Sequence, residues 1–175
     1  FPFFVWNYDE DQVRKIVSER RLLPEGQIDP IITNHQLIPV ILALDRAGLV
    51  GEDGPTHHGA FDIAYLRVLP NLVLLSPKDP AELSSMLSWA LLQDRPVALR
   101  YARGGITCGQ PLGKPSKLVL GKSETLRLGT DLALLAVGSM VYPALEAASA
   151  LAQQGIEASV VNARFIKPLD LVMVR

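Results

Sequence analysis

The chain is 175 residues long, 49% hydrophobic, 20% charged and 6% aromatic, which is ample for a packed core. Seventeen basic against eighteen acidic residues give a formal charge of −1, which excludes the footprint of a nucleic-acid binder and a polybasic membrane surface. A single cysteine, Cys108, excludes an internal disulfide, and apolar runs such as "LALLAV" fall far short of the roughly 20 residues of a spanning helix.

The sequence opens at Phe1 rather than Met, and "FPFFVW" runs straight into charge without a signal-peptide pattern. Residues 1–32 mix charge at helix-like spacing with a turn at Pro24-Glu25-Gly26. A short surface helix is expected over Asp11–Leu23, and the segment is otherwise unassigned.

An alternation follows. "IPVILALD" (38–45), "NLVLLSP" (71–77) and "PVALRYA" (96–102) have the length and bounding signals of strands buried on both faces of a parallel sheet. "GAFDIAYLRVL" (59–69) reads as a helix between the first two. Between the second and third, "KDPAELSSMLSWALLQ" reads as another, with Asp79 as N-cap, Pro80 at the first helical position and Glu82 close behind. Leu83, Met86, Leu87, Ala90 and Leu91 recur at the spacing of one buried helix face, with Trp89 at its rim. Strands and helices alternating in this way predict an open, parallel, doubly wound α/β sheet.

Residues 105–121 are rich in Gly, Pro and Lys and read as a linker. A second βαβ unit follows: "DLALLAVG" (131–138), a helix from about Met140 to Gln154, Gly155 as its stop, and "EASVVNA" (157–163). This second α/β domain is expected to be truncated after two strands, because a lone βαβ buries too little to stand by itself. No internal repeat or low-complexity tract is visible.

The polar stretch "LVGEDGPTHHGAFD" (49–62) follows directly from the first strand, where open α/β sheets place their ligands. Glycines there let the backbone approach a ligand, and Thr56 is expected to cap the helix after it. His57 and His58 then fall at that helix's N-terminus, which favours anions through its free N–H groups. After the third strand, "LRYARGG" supplies Arg100 and Arg103. If the first and third strands are near neighbours, Arg46 and Arg103 converge as a clamp for phosphate or carboxylate. The expected ligand is therefore a small anion, with a histidine placed for proton transfer or hydrogen bonding.

Plainer readings stand beside these. A His-His pair opening a helix can be a cap and a packed ring, Asp45-Arg46 can be a structural ion pair, and "GEDG" can be only a turn. Too few ligand positions are present for a calcium loop, the three histidines have no metal-ligand spacing, and Cys108 has no assigned role.

"ALDRAGLVGEDGPTHHGAFDIAYLRVLPNLVLLSPKDPAELSSML", followed by "DRPVALRYARG", closely resembles the 1-deoxy-D-xylulose 5-phosphate synthase family of the transketolase group. The resemblance runs from about Leu37 to Asp170, roughly three quarters of the chain. It implies a partial pyrimidine-binding domain over 33–104 and the start of a C-terminal domain over 122–175. It also implies thiamine diphosphate and Mg2+ as cofactors, and pyruvate and D-glyceraldehyde 3-phosphate as substrates. Arg46 and Arg103 then look like the arginines that hold the acceptor's phosphate. Asp53 looks like a polar contact near the reacting carbons, and His57 like the catalytic histidine there. A homodimer is implied for the full-length enzyme, in the bacterial cytoplasm or a plastid. The Gly-Asp-Gly motif that anchors the diphosphate through the metal, and the glutamate that activates the aminopyrimidine, are absent from these residues. "EGQIDPIITNHQ" stands in place of the family's phosphate-binding stretch before the first strand, and Ala102 replaces the usual proline of the second arginine motif. The chain alone is therefore expected to be inactive. The alternatives are a non-catalytic sugar-phosphate-binding or interaction module, and one subunit of a split enzyme.

Overall fold

The computed structural model describes residues 39–51, 53–104, 113 and 115–175. The expected helix over Asp11–Leu23, together with Glu52 and Cys108, lies outside the described residues. Pro39–Arg175 belong to one compact unit.

Its first sheet is built from β1 (Ile41–Leu44), β2 (Val73–Leu75), β3 (Val97–Arg100) and β7 (Phe165–Lys167), in the order β1-β3-β2-β7. β1 pairs with β3 and β3 with β2, both in parallel, so the three strands foreseen in sequence are adjacent. The α/β parallel arrangement is as expected, with one addition. β7 joins the far edge antiparallel to β2, with Leu74 opposite Lys167.

Helices cover both faces because the strand side chains alternate. Val73, Leu75, Val97 and Leu99 face α2 (Pro80–Ala90), which contributes Met86 and Ala90 to the same cluster. Leu74 and Ala98 face the opposite way, toward Leu66 and Ile63 of α1 (Asp62–Val68). Met86 is fully buried, a gain of about 1.5–3 kcal/mol over an exposed position. Trp89 sets its ring edge-on to Phe165, centroids 5.4 Å apart, so it packs on β7 rather than resting at a rim. β2 and β3 are buried on both faces, but β1 is half-buried and is an edge strand among the described residues. The expectation of three fully buried strands therefore fails for β1.

The second sheet has the order β4-β6-β5, from β4 (Glu124–Arg127), β5 (Leu132–Ala136) and β6 (Ala158–Asn162). β5 and β6 are parallel across α3 (Val141–Ala152), as the βαβ reading requires. Gly155, at φ 79°, closes that helix in the left-handed conformation its position in sequence suggested. The segment after the linker thus holds more than a βαβ. β4 adds antiparallel to β6, β7 crosses to the first sheet, and a last short helix, α4 (Leu171–Val174), follows.

Candidate functional site

β1 and β3 lie side by side in register, with Leu44 opposite Arg100. Their carboxyl ends therefore release Asp45-Arg46 and Tyr101–Arg103 at the same edge of the sheet. The pairing continues past the strands: Tyr101 N donates to Leu44 O at 2.9 Å, and Ala47 N donates to Tyr101 O at 3.0 Å. Arg46 adopts φ 58°, a left-handed conformation uncommon for a residue with a Cβ.

That geometry brings Arg46 and Arg103 onto one carboxylate. Arg46 Nε donates to Asp53 Oδ2 at 2.7 Å, and Arg103 pairs with Asp53 Oδ1. Arg46 Nη1 also pairs with Asp45 at 2.5 Å, so the adjacent ion pair is present beside the shared Asp53 contact. The Arg46 hydrogen bond, and then that of Arg103, hold the Asp53 carboxyl below its ordinary range, and the bond to Asp53 raises Arg46.

The return of the loop is fixed at Gly59. Its N–H donates to both Arg46 O (3.0 Å) and Gly48 O (2.9 Å), and its carbonyl accepts from Gly48 N at 3.2 Å. Arg100 secures the same point from β3, donating to Asp62 Oδ2 at 2.6 Å and to Gly59 O at 3.4 Å.

The histidines divide their tasks. His58 Nδ1 accepts from Val50 N at 2.9 Å and braces the loop from within. His57 is exposed at the end of a 3-10 turn over Pro55–His57, with Nδ1 3.1 Å from Thr56 Oγ1. Neither residue opens α1, which begins at Asp62, and Thr56 does not cap it. The expected helix-terminus environment for His57 and His58 is thus replaced by a separate short turn. Pro55 sets the dihedral of that turn and Gly54, at φ 77°, its entry. The structure unites Arg46, Asp53 and Arg103, and leaves His57 outside their hydrogen-bonded cluster.

A second polar cluster was not singled out in sequence. Glu82, fully buried in the first turn of α2, accepts Lys78 N at 2.8 Å and Asn162 Nδ2 at 3.0 Å. Lys78 Nζ lies 3.3 Å from Glu82 and 3.1 Å from Glu124, and Arg164 reaches Glu82 at 3.7 Å. Burial pushes the Glu124 carboxyl upward, but the Ser116 hydrogen bond and the charges of Lys78 and Arg164 prevail and hold it at about 2. Asp79 caps α2 as foreseen, accepting Glu82 N at 2.7 Å, and its other oxygen takes the Tyr142 hydroxyl at 2.8 Å. Charges flanking strand-like apolar runs, as in "SPKDP" and "NARFIKP", were the available signal. A cavity of about 90 Å³ beside Asp79, Tyr101, Ser139 and Tyr142 includes none of the clamp residues.

Comparison with known proteins gives two domain families. Residues 28–107 match the transketolase pyrimidine-binding domain and residues 121–175 the transketolase C-terminal domain. A 1-deoxy-D-xylulose-5-phosphate synthase of Thermomicrobium roseum is 57% identical over 136 residues, 77% of this chain and 22% of the relative. One from Synechococcus elongatus is 50% identical over 163 residues, 91% of this chain and 26% of the relative. The chain thus spans about a quarter or less of the length of these curated relatives. Among solved structures, a split-gene transketolase described as an inactive beta4 tetramer superposes with a TM-score of 0.73 at 31% identity, covering 85% of this chain and 48% of that one. Transketolase of Campylobacter jejuni superposes at 0.59 with 28% identity, over 73% of this chain and 20% of that one.

Proposed function

Because the chain belongs to the transketolase family and carries both its pyrimidine-binding and C-terminal domains, we propose that it forms the acceptor-substrate part of a 1-deoxy-D-xylulose-5-phosphate synthase. The carrying observation is the convergence of Arg46 and Arg103 on a single carboxylate. Two guanidiniums fixed at neighbouring strand ends suit an oxyanion with several acceptor oxygens, such as the phosphate of D-glyceraldehyde 3-phosphate. In this reading Asp53 and His57 contact the substrate near the reacting carbons. The exposed loop tip that carries His57 leaves its ring accessible to a ligand. Residues 33–104 and 122–175 are assigned to the two domains, with 105–121 between them.

The family depends on thiamine diphosphate, which supplies the carbanion chemistry that joins a two-carbon unit from pyruvate to the aldehyde. Among the described residues no group of three or more His, Cys, Asp or Glu is placed to hold a metal ion. In this reading the residues of the Arg46–Arg103 site contribute acceptor binding. The bacterial relatives favour a bacterial cytoplasm, and no helix among the described residues is long and apolar enough to cross a membrane.

Titration with D-glyceraldehyde 3-phosphate tests the clamp. Arg46→Gln and Arg103→Gln are each expected to weaken binding about tenfold, the loss of one charge-assisted contact. Unchanged affinity in both variants would refute the assignment.

We assign self-association as well. Phe61, Tyr65 and Val68 are 77%, 55% and 77% exposed along one side of α1, and Leu49 is 82% exposed. Apolar surface of this kind is covered in assemblies. Light scattering should give a mass of at least twice 19.1 kDa, and a monomer at micromolar concentration would count against it. The split-gene relative favours a second reading, one subunit of a two-chain enzyme. A neighbouring reading frame that encodes the Gly-Asp-Gly motif and the activating glutamate would select that reading.

A further inference from the structure

The Asp53 carboxylate stands where the ligand of the clamp would stand. One of its oxygens takes Arg46 Nε at 2.7 Å and the other pairs with Arg103, so the two guanidiniums share one carboxylate. Two oxygens of a phosphate would present the same pair of acceptors. Arg46 Nη1 is already occupied by Asp45 at 2.5 Å. A phosphate that enters between the two guanidiniums therefore competes with Asp53 for the N–H groups now given to it.

Resting on the clamp reading above, we propose that Asp53 is the internal counter-anion of this site, displaced by incoming phosphate, and that its release shifts the turn bearing His57. Charge favours the exchange. A phosphate ester carries between one and a half and two negative charges near neutrality, roughly, against one on a carboxylate. Asp53 does not leave by protonation, because the Arg46 and Arg103 hydrogen bonds keep it ionised. Its side chain is 18% exposed and those of Arg46 and Arg103 34% and 43%, so the released carboxylate is rehydrated without crossing a core.

The link to His57 is short. Asp53 is followed by Gly54, and the Pro55–His57 turn is closed by His57 N donating to Gly54 O at 3.2 Å. No atom lies within 4 Å of where a Cβ would stand at Gly54, so the backbone beside Asp53 is not packed against a neighbour on that side. Beyond it, Val50 and His58 are tied to each other at 2.9 Å and Gly59 to Arg46 at 3.0 Å. These bonds hold the loop on either side, so a shift of Asp53 passes to the adjoining Pro55–His57 turn.

The test is inorganic phosphate titrated into the full 175-residue chain, read by NMR at the imidazole signals. In the wild type the His57 signals should move in step with phosphate saturation. Asp53→Asn should bind phosphate about fivefold more tightly, with His57 near its phosphate-bound position before any is added. Asp53→Glu keeps the internal anion and should retain the wild-type affinity, which a merely structural role for Asp53 would not predict. Equal or weaker binding by Asp53→Asn, with Arg46→Gln and Arg103→Gln still defective, would overturn the displacement and leave the clamp standing. Absence of phosphate binding in wild type and Asp53→Asn alike would overturn both.

Discussion

Replacing Glu82 with leucine is expected to destabilise the Pro39–Arg175 unit by about 3–5 kcal/mol, the usual result of leaving a buried charge without its partner. Leucine keeps the helix propensity and most of the volume, so the loss isolates the electrostatics. Glu82 accepts Lys78 N at 2.8 Å and Asn162 Nδ2 at 3.0 Å, and it faces the charges of Lys78 at 3.3 Å and Arg164 at 3.7 Å. Without it, Glu124 alone faces both cations, at 3.1 and 3.9 Å. Arg164 keeps its bonds to Ser116 Oγ at 2.9 Å and Lys117 O at 3.1 Å, which hold it in the interior and prevent escape to water. Denaturant unfolding with near-ultraviolet detection reads the change. A loss under about 1 kcal/mol, the range of ordinary surface pairs, would show that Glu124 suffices and that Glu82 is not the centre of the network.

The same network shows where sequence reading stops. Glu82 and Asn162 are 80 residues apart in the chain, and no local pattern links a helix cap to the end of a later strand. Asp79, by contrast, was legible as a cap because the N-terminal signal is local: an acceptor, then proline, then an acid. β2 and β3 were legible as short apolar runs bounded by turn residues. β4 was not, because "ETLR" is polar and half-buried, and β7 was not, because three residues carry no period. The convergence of Arg46 and Arg103 was legible once β1 and β3 were taken as neighbours, since strand ends fix where the two arginines emerge. The histidine environment was misread because Pro55 allows a separate turn to form before α1, and the pattern of apolar residues in 59–69 does not mark where that turn gives way to helix.

Gly59→Ala is expected to weaken the proposed clamp through Arg46 while sparing the core. A Cβ at Gly59 would run into Arg46 O, with Ala47 Cα at 3.1 Å and Arg46 C at 3.2 Å. All three are backbone atoms, so no side chain can turn aside to make room. The clash falls where Gly59 N serves Arg46 O and Gly48 O at 3.0 and 2.9 Å, closing the loop at both ends. Relief requires the Arg46 backbone to move away from β3, and with it the guanidinium that meets Asp53. Overpacking of this kind costs about 1–3 kcal/mol in stability. Its effect on binding should match that of Arg46→Gln, about tenfold in phosphate affinity, because the same guanidinium is taken out of position. The buried residues of β2, β3 and α2 lie outside this contact, so the cooperative melt should persist at a slightly lower temperature. Phosphate titration and a thermal melt on the same sample separate the two effects. Retention of wild-type phosphate affinity by Gly59→Ala would mean that the loop adjusts without moving Arg46, and the argument that Gly59 sets the clamp geometry would fail.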